Sequence, residues 1–219
     1  MCNLSEPFIV GMGAGGHAKV LVDILQLRSE YRIIGLLDEN RNLWGSTLLG
    51  VPILGGDDLL PQIRQQCENA FVGLGSIGRG HMRKQLFEMI VRQGFSMPSA
   101  IHPTACVARS AKIGRGVSIM AGAIVNACAL VGDNVIINSA AIIEHDCVIE
   151  DHVHVAPGAR LAGNAVVGCE THIGIGATVL EGRRIGSSSI IGGGAVVTKD
   201  MPDRVVAAGV PARIIRPCT

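Results

Sequence analysis

The second half of the chain carries an aliphatic residue at every sixth position, without an insertion, from residue 101 to residue 197. A period of six fits neither the two-residue period of a half-buried β-strand nor the 3.6-residue period of an α-helix. It is typical of a parallel β-helix, in which each hexad forms a short strand and a turn, and about three hexads close one triangular coil. The pattern predicts about five to six stacked coils. The seventeen aliphatic positions are Ile101, Val107, Ile113, Ile119, Val125, Val131, Ile137, Ile143, Ile149, Val155, Leu161, Val167, Ile173, Val179, Ile185, Ile191 and Val197.

The fifth place of the hexads holds mostly small residues, chiefly alanine. Small side chains suit the narrow interior of a triangular coil, so we expect the first and fifth places to point inward. Arg183 is the one large charged residue at a fifth place, and a local distortion is expected there. The period stops after Val197, and the aperiodic segment 200–217 is expected to cap the open end of the stack, which otherwise exposes strand edges.

The first half of the chain alternates between strand and helix patterns, which predicts a parallel α/β sheet of about four strands. We place the boundary at residue 97, with the solenoid over 98–219. The first helix is expected to bury Val20, Leu21, Ile24 and Leu27, which share one face. The predicted strands are 8–12, the segment from 32 to Asp38, 51–54 and the segment from 70 that runs into a glycine loop; the predicted helices are 17–28, one near 58–67 capped by Asp57, and 79–93.

The segment "FIVGMGAGGHAK" (8–19) joins the first strand to the first helix and contains Gly11-x-Gly13-x-x-Gly16, the spacing of a dinucleotide-binding turn. A dinucleotide fold uses two mononucleotide halves and six strands, whereas this half has room for one. The pattern therefore favours a mononucleotide or nucleotide-diphosphate ligand over NAD, with backbone N–H groups approaching a pyrophosphate. Asp38 and Glu39 follow the second strand, where an acid can accept hydrogen bonds from a ribose or a base. A tight turn without a ligand is the alternative.

Composition narrows the class of protein. The 219 residues carry a net charge of +1 and only 3% aromatic residues, which argues against a nucleic-acid partner. Seven scattered cysteines without a CxxC motif, and a beginning of the chain unlike a signal peptide, predict a reduced, cytoplasmic protein. The uncharged run 116–132 is marginal in length for a membrane span and is better explained as solenoid core, so no membrane insertion is expected.

Several motifs together resemble one family. The α/β half carries "GAGGHAK", the hexads contain "IEHDCVIEDHVHVAPGARLAGN", and "GGGAVV" and "GVPA" lie near the end. In these motifs the chain closely resembles the bacterial acyltransferases that acetylate nucleotide-linked amino sugars and the related sialic acid O-acetyltransferases, over nearly its whole length. The resemblance implies a left-handed β-helix, a homotrimer, acetyl-CoA as co-substrate and no metal for the chemistry.

The resemblance also implies residue roles. His145 matches the catalytic base, and Asp146 matches the acidic neighbour that orients it and raises its basicity. His154 and Gly163 match residues near the acetyl-CoA thioester, and Ile175 lies in a matching pantetheine-contact segment. Glu39 stands where a second Asp is common, which leaves the preferred nucleobase open. The residues that match nucleotide-sugar contacts are Gly15, Gly16, His17, Asp38, Glu39 and Gly75.

The chemistry of the region agrees with these roles. His145 is the third residue of its hexad, so it is expected on a turn and pointing outward, between Glu144 and Asp146. A carboxylate beside a histidine fixes its tautomer and favours the imidazolium that forms when it takes up a proton. Acetyl transfer to an amine needs such a base, and it needs donors for the thioester oxyanion, such as the N–H of Gly163. Two alternatives remain. His145, His152 and His154 could bind a metal ion, or His145 could simply be a solvated surface residue without a function.

The favoured function is acetyl-CoA-dependent N-acetylation of a nucleotide-linked amino sugar, at the amine on carbon 4. O-acetylation of sialic acid or a related nonulosonate needs the same base and the same CoA cleft, and the retained nucleotide turn favours the first. An NAD-dependent oxidoreductase and a non-catalytic solenoid that only assembles with partners are the alternatives from other classes. The missing second half-domain argues against the oxidoreductase.

Overall fold

The computed structural model describes residues 6–75 and 80–218. The N-terminal half is a five-stranded sheet in the order β3-β4-β2-β1-β5. β3 pairs antiparallel with β4, and the other pairs are parallel. The α/β prediction is thus confirmed, with one more short strand than expected. The strands are β1 (Phe8–Met12), β2 (Arg32–Leu37), β3 (Thr47–Leu48), β4 (Val51–Gly55) and β5 (Asn69–Val72).

The helices of this half are α1 (Gly16–Arg28), α2 (Leu60–Ile63) and α3 (Gly80–Arg92), with 3₁₀ turns at Arg41–Leu43 and Asp57–Leu59. Two expectations were wrong. The helix predicted near 58–67 is only one turn long and is not capped by the Asp57 side chain, because the chain enters it through the 3₁₀ turn. α1 does bury Leu21 and Ile24, but Val20 and Leu27 are exposed.

The C-terminal half is the predicted β-helix. Each hexad contributes a two-residue strand, and each strand pairs in parallel with those one coil, or 18 residues, before and after it, as Ile143 does with Val125 and Leu161. The strands are β6 (Ala100–Ile101), β7 (Cys106–Val107), β8 (Lys112–Ile113), β9 (Ser118–Ile119), β10 (Ile124–Val125), β11 (Leu130–Val131), β12 (Ile136–Ile137), β13 (Ile142–Ile143), β14 (Val148–Ile149), β15 (His154–Val155), β16 (Arg160–Leu161), β17 (Val166–Val167), β18 (His172–Ile173), β19 (Thr178–Val179), β20 (Arg184–Ile185), β21 (Ile190–Ile191) and β22 (Val196–Val197).

The strands form three faces. The first face holds β7, β10, β13, β16, β19 and β22. The second face holds β8, β11, β14, β17 and β20. The third face holds β6, β9, β12, β15, β18 and β21. The aliphatic column and the alanines at the fifth places form one continuous buried core, as predicted. The distortion expected at Arg183 is not found, because its side chain turns outward to the Glu181 carbonyl and the neighbouring strand keeps its register.

The segment after the last hexad caps the stack, as predicted. β23 (Val205–Ala208) pairs with β21 and extends the third face, and β24 (Arg213–Pro217) returns antiparallel to it. The side chains of Met201, Ala207 and Ala212 are buried against the last coil. The exposed end of the apolar column is thereby covered.

The α/β half packs on the third face. Side chains of α1 share an apolar core with Ala100, Met120 and Ile136, which point outward from that face. α3 lies at the corner between the second and third faces, where Arg83 donates hydrogen bonds to the carbonyl oxygens of Asn134 and His152. The N-terminal half therefore lies on the opposite side of the coil from the corner between the first and second faces.

Candidate active site

His145 lies in the turn between β13 and β14, at the corner between the first and second faces. Its side chain is 52% exposed, and its Nδ1 lies 2.8 Å from Oδ2 of Asp146. Asp146 has φ of 59°, a left-handed conformation that a short polar residue tolerates, and this turn brings its carboxylate alongside the ring. Because the carboxylate only accepts, Nδ1 carries the proton of the neutral ring, and the lone pair of Nε2 is left to take up another.

Negative charge surrounds this imidazole. The pKa of His145 is raised above its ordinary value, first by the hydrogen bond to Asp146 and then by the charges of Asp146, Glu144 and Glu181. Glu144 is held in place by Asn126, whose Nδ2 donates to Oε2 at 2.9 Å. The predicted support of His145 by a carboxylate is therefore present in the geometry.

Gly163 lies one coil after His145 at the same corner. A Cβ at this position would lie 2.6 Å from Cε1 and 2.7 Å from Nε2 of the imidazole, closer than side chains approach each other. Glycine thus leaves the space that the ring occupies. Among the described residues, the bonds between coils use the N–H groups of Ala162 and Asn164 but not that of Gly163.

His154 lies on the third face, under the α/β half, and is only 5% exposed. Its Nε2 lies 3.2 Å from Nδ2 of Asn138, and its ring meets that of His172 edge-on at 4.8 Å. Burial, followed by the charges of His172, Arg83 and His17, lowers the pKa of His154 to about 2. His154 is therefore a neutral hydrogen-bonding group, and it is a poor candidate for a base.

One chain does not bring the predicted acetyl-CoA residues together. His145 and Gly163 share the corner between the first and second faces, whereas His154 lies on the third face, across the coil. Ile175 lies at the corner between the third and first faces and is 62% exposed.

The glycines of the first turn have separate roles. A Cβ on Gly11 would lie 2.3 Å from Cζ of Phe71, so this glycine serves packing inside β1. Gly13 has φ of 100° and makes the turn next to Gly73. Gly15 and Gly16 are exposed, with nothing within 4 Å of the place of a Cβ. In the described part of the chain no side chain caps α1, and no acidic residue lies in its first turn, so no side chain competes with an anion for the N–H groups of that turn.

The remaining predicted nucleotide residues lie around the carboxyl ends of β1, β2 and β5. Oδ2 of Asp38 accepts from the N–H of Ala14 at 2.7 Å, which ties the end of β2 to the glycine turn. Glu39 beside it is exposed. A Cβ on Gly75 would lie 3.7 Å from that of His17. Burial, and then the charge of Arg83, lowers the pKa of His17 to about 4. Unlike the solenoid residues, this set is brought together within one chain.

Two residues near this set were missed by sequence reasoning. His172 occupies the same hexad place as His154 one coil later, and that spacing of 18 was a usable signal. Arg83 lies outside any repeat, and no pattern in the sequence indicates its position. Within 6–75 and 80–218, no group of three or more His, Cys, Asp or Glu residues is placed to hold a metal ion. The described helices include none that is long and apolar enough to cross a membrane.

Two family models match the sequence. The PglD N-terminal domain matches residues 9–90, and the bacterial transferase hexapeptide (six repeats) matches residues 128–163. A curated relative, the UDP-N-acetylbacillosamine N-acetyltransferase of Bacillus subtilis (strain 168), is 39% identical over 110 residues. That match spans half of this chain and half of the relative.

Solved structures match over nearly the full length of the chain. A mutant of perosamine N-acetyltransferase from Caulobacter crescentus, in complex with CoA and GDP-perosamine, is 38% identical with a TM-score of 0.91, and the match covers 98% of this chain and 100% of that one. The acetyltransferase domain of PglB from Neisseria gonorrhoeae FA1090, in complex with acetyl coenzyme A, is 35% identical with a TM-score of 0.89 and coverage of 96% and 100%. These matches confirm the left-handed β-helix fold.

Proposed function

Since the chain belongs to the hexapeptide-repeat acetyltransferases of nucleotide-linked sugars, we propose that it transfers the acetyl group of acetyl-CoA to an amine of a nucleotide-linked amino sugar. The observation that carries the proposal is the exposed His145, bonded through Nδ1 to Asp146 and given room by Gly163. Two of the relatives named above, those from Bacillus subtilis and Caulobacter crescentus, are N-acetyltransferases, which favours an amine over the hydroxyl of a sialic acid. Carbon 4 as the position of the amine rests on the family resemblance.

In the proposed reaction, Nε2 of His145 takes a proton from the sugar amine while the nitrogen attacks the thioester carbonyl. A C–N bond forms, the carbonyl oxygen becomes an oxyanion, and the C–S bond then breaks. The proton passes from the imidazolium to the departing CoA thiolate, so charge and atoms balance. The N–H of Gly163 is a candidate donor to the oxyanion.

We assign nucleotide-sugar binding to the α/β half (1–97) and acetyl-CoA binding to the solenoid (98–219). Gly15 and Gly16 offer open backbone for the pyrophosphate, and His17, Asp38, Glu39 and Gly75 border the same space. Their clustering at the carboxyl ends of parallel strands is the usual place for a ligand in such sheets.

We propose that the working protein is a homotrimer with its sites between neighbours. A single chain leaves His145 and His154 on opposite sides of a coil, so a site that uses both needs a second copy. Such a site combines the nucleotide residues and His154 of one chain with His145 and Gly163 of another. We also propose a cytoplasmic location, where the six described cysteines would remain the free thiols they are in the structure.

The deciding experiment is an acetyl-CoA assay against UDP-, GDP- and CMP-linked sugars that carry either a free amine or only hydroxyls. We expect turnover with an amino sugar and not with the matched hydroxyl sugar or with free sialic acid. Turnover of sialic acid alone would favour O-acetylation. Binding of NADH, with no release of CoA from any acceptor, would overturn acetyl transfer.

A further inference from the structure

Arg83 joins the two halves of the chain from a fully buried position. It lies in the first turn of α3 and is 1% exposed. Its guanidinium donates hydrogen bonds to the carbonyl oxygens of Asn134 and His152, and it lies 3.5 Å from that of Val153. Asn134 and His152 are left-handed turn residues in successive coils, with φ of 55° and 62°. The bonds between coils do not use these two carbonyls, so Arg83 supplies their buried donors.

Within residues 6–75 and 80–218, no carboxylate forms an ion pair with this buried cation. Glu170 raises the pKa of Arg83 from nearby, but its Oε1 is bonded to Nζ of Lys84 at 2.8 Å. Burial nevertheless lowers the pKa of Arg83 only to about 10, so it stays charged at neutral pH. Its Nε is buried without a hydrogen-bond partner in the described part of the chain. A buried charge in this state is costly, and a hydrophobic side chain would hold the two halves together at lower cost.

The charge of Arg83 acts on two residues of the proposed site, His17 and His154, and on other charged or titratable groups nearby. The histidines that sense this charge are His17 on α1, His152 in the turn before β15, His154 on β15 and His172 on β18. Glu170, paired with Lys84, lies close enough to act on Arg83 itself. Burial is the first cause that lowers the pKa of each histidine, and the charge of Arg83 lowers it further for all four. A neutral imidazole can donate one hydrogen bond and accept another, which an imidazolium cannot.

We propose that Arg83 is a positioning residue for the acetyl transfer proposed above, on which this inference rests. Its guanidinium, bonded to the carbonyls of Asn134 and His152, fixes the start of α3 on two successive coils. In this way it fixes the position of His17 of the nucleotide turn relative to His154 of the solenoid. Its charge adds to burial in keeping both histidines in the neutral form in which they can hydrogen-bond a substrate. The buried charge thus lowers the stability of the protein, and its benefit lies in the activity of the site.

The test compares Arg83→Met with Arg83→Lys, and uses Arg92→Met, an exposed arginine of the same helix, as the matched control. In Arg83→Met we expect kcat/KM for the amino sugar to fall by about 10²-fold, as small displacements of positioned groups cause. Removing the cation takes away the smaller of the two causes that lower the pKa of His17, so this pKa should rise above about 4 while burial keeps it below its ordinary value, and the acid limb of the pH profile should move to higher pH. Arg83→Lys keeps the charge but lacks the guanidinium that bonds both carbonyls at once. The histidines should therefore stay neutral while part of the rate loss persists. Arg92→Met should match wild type.

Histidine titration by NMR needs no substrate, so it separates this proposal from the proposed function. If wild type acetylates no amino sugar, the proposed function fails, while the titrations of the variants still decide the role of the charge. Two results would overturn the inference: histidine pKa values that are unchanged in folded Arg83→Met, or an activity of Arg83→Met as high as that of the control Arg92→Met. Should Arg83→Met not fold, Arg83→Lys carries the test: a rate equal to wild type would show that the guanidinium positions nothing.

Discussion

A Cβ on Gly163 would lie 2.6 Å from the ring of His145, which lies one coil earlier at the same corner. Because equivalent places in successive coils lie directly above one another, a side chain on one coil occupies space at the next. The imidazole fills the space that a larger residue at Gly163 would need. The base and the glycine therefore form one unit of the proposed site.

Gly163→Ala is expected to push the imidazole away from its present position and to lower kcat by about tenfold or more, because misplaced catalytic groups lose rate steeply. The measurement is a double-mutant cycle with His145→Ala. If the role of Gly163 is to make room for the ring, the alanine costs little in the His145→Ala background. An equal loss in both backgrounds would show that Gly163 acts independently, for instance through its N–H.

His145→Ala is expected to lower kcat by about 10²–10⁴-fold, the usual contribution of a general base. The fold should survive, since the side chain is half exposed and lies outside the aliphatic column. The check is kcat of the folded oligomer with its true acceptor. A rate within about threefold of wild type would contradict the assignment of His145 as the base. His154 would not be a ready alternative base, because its pKa is lowered to about 2.

Asp146→Asn should cost less than loss of the ring, and it should shift the pH profile. Asp146 raises the pKa of His145 through its hydrogen bond and its charge. Removing that charge lowers the pKa, so the acid limb of kcat/KM is expected to move to lower pH. The amide also permits the other tautomer, which lowers the rate at the plateau. A limb that stays in place would assign the titration to another group, such as the acceptor ammonium.

Gly15→Val and Gly16→Val are expected to raise the KM for the nucleotide sugar strongly and to leave the KM for acetyl-CoA unchanged. Both positions face open space, so the added side chain blocks the ligand and not the fold. Equal increases in both KM values would contradict the division of labour between the two halves.

Gly11→Ala provides the contrast within the same motif. Its Cβ would meet Phe71 and Leu36 inside the sheet, and overpacking of this kind costs about 1–3 kcal/mol. Denaturant unfolding should show the loss of stability, while Gly16→Val should unfold like wild type. A stable Gly11→Ala variant would mean that the sheet adjusts around the new methyl group.

The shared site can be tested by complementation. At nucleotide-sugar concentrations far below the raised KM of Gly16→Val, His145→Ala and Gly16→Val should each be nearly inactive as trimers, whose size light scattering should establish. If each site takes its base from one chain and its nucleotide turn from another, subunit exchange should restore about a quarter of the sites, by random assortment in a closed ring. Mixed trimers without regained activity would place both functions in one chain.

The sequence determined the solenoid almost completely. Contacts there recur at a fixed separation, so the aliphatic column, the inward alanines and the outward turn at His145 could all be predicted from a period of six. The pairing of Asp146 with His145 is local and was equally accessible. The capping role of the C-terminal segment followed from the end of the period.

Only the tertiary structure decided what happens where the two halves meet. α1 buries Val22 in place of Val20, and His154 is enclosed and neutral, because the sheet packs on the third face and not on another. Arg83 reaches the carbonyls of Asn134 and His152 across 51 and 69 residues of sequence. Such contacts join a non-repeating domain to a repeating one, so no period in the sequence predicts them. Their energies depend on how the two halves dock, and that geometry exists only after both halves have folded.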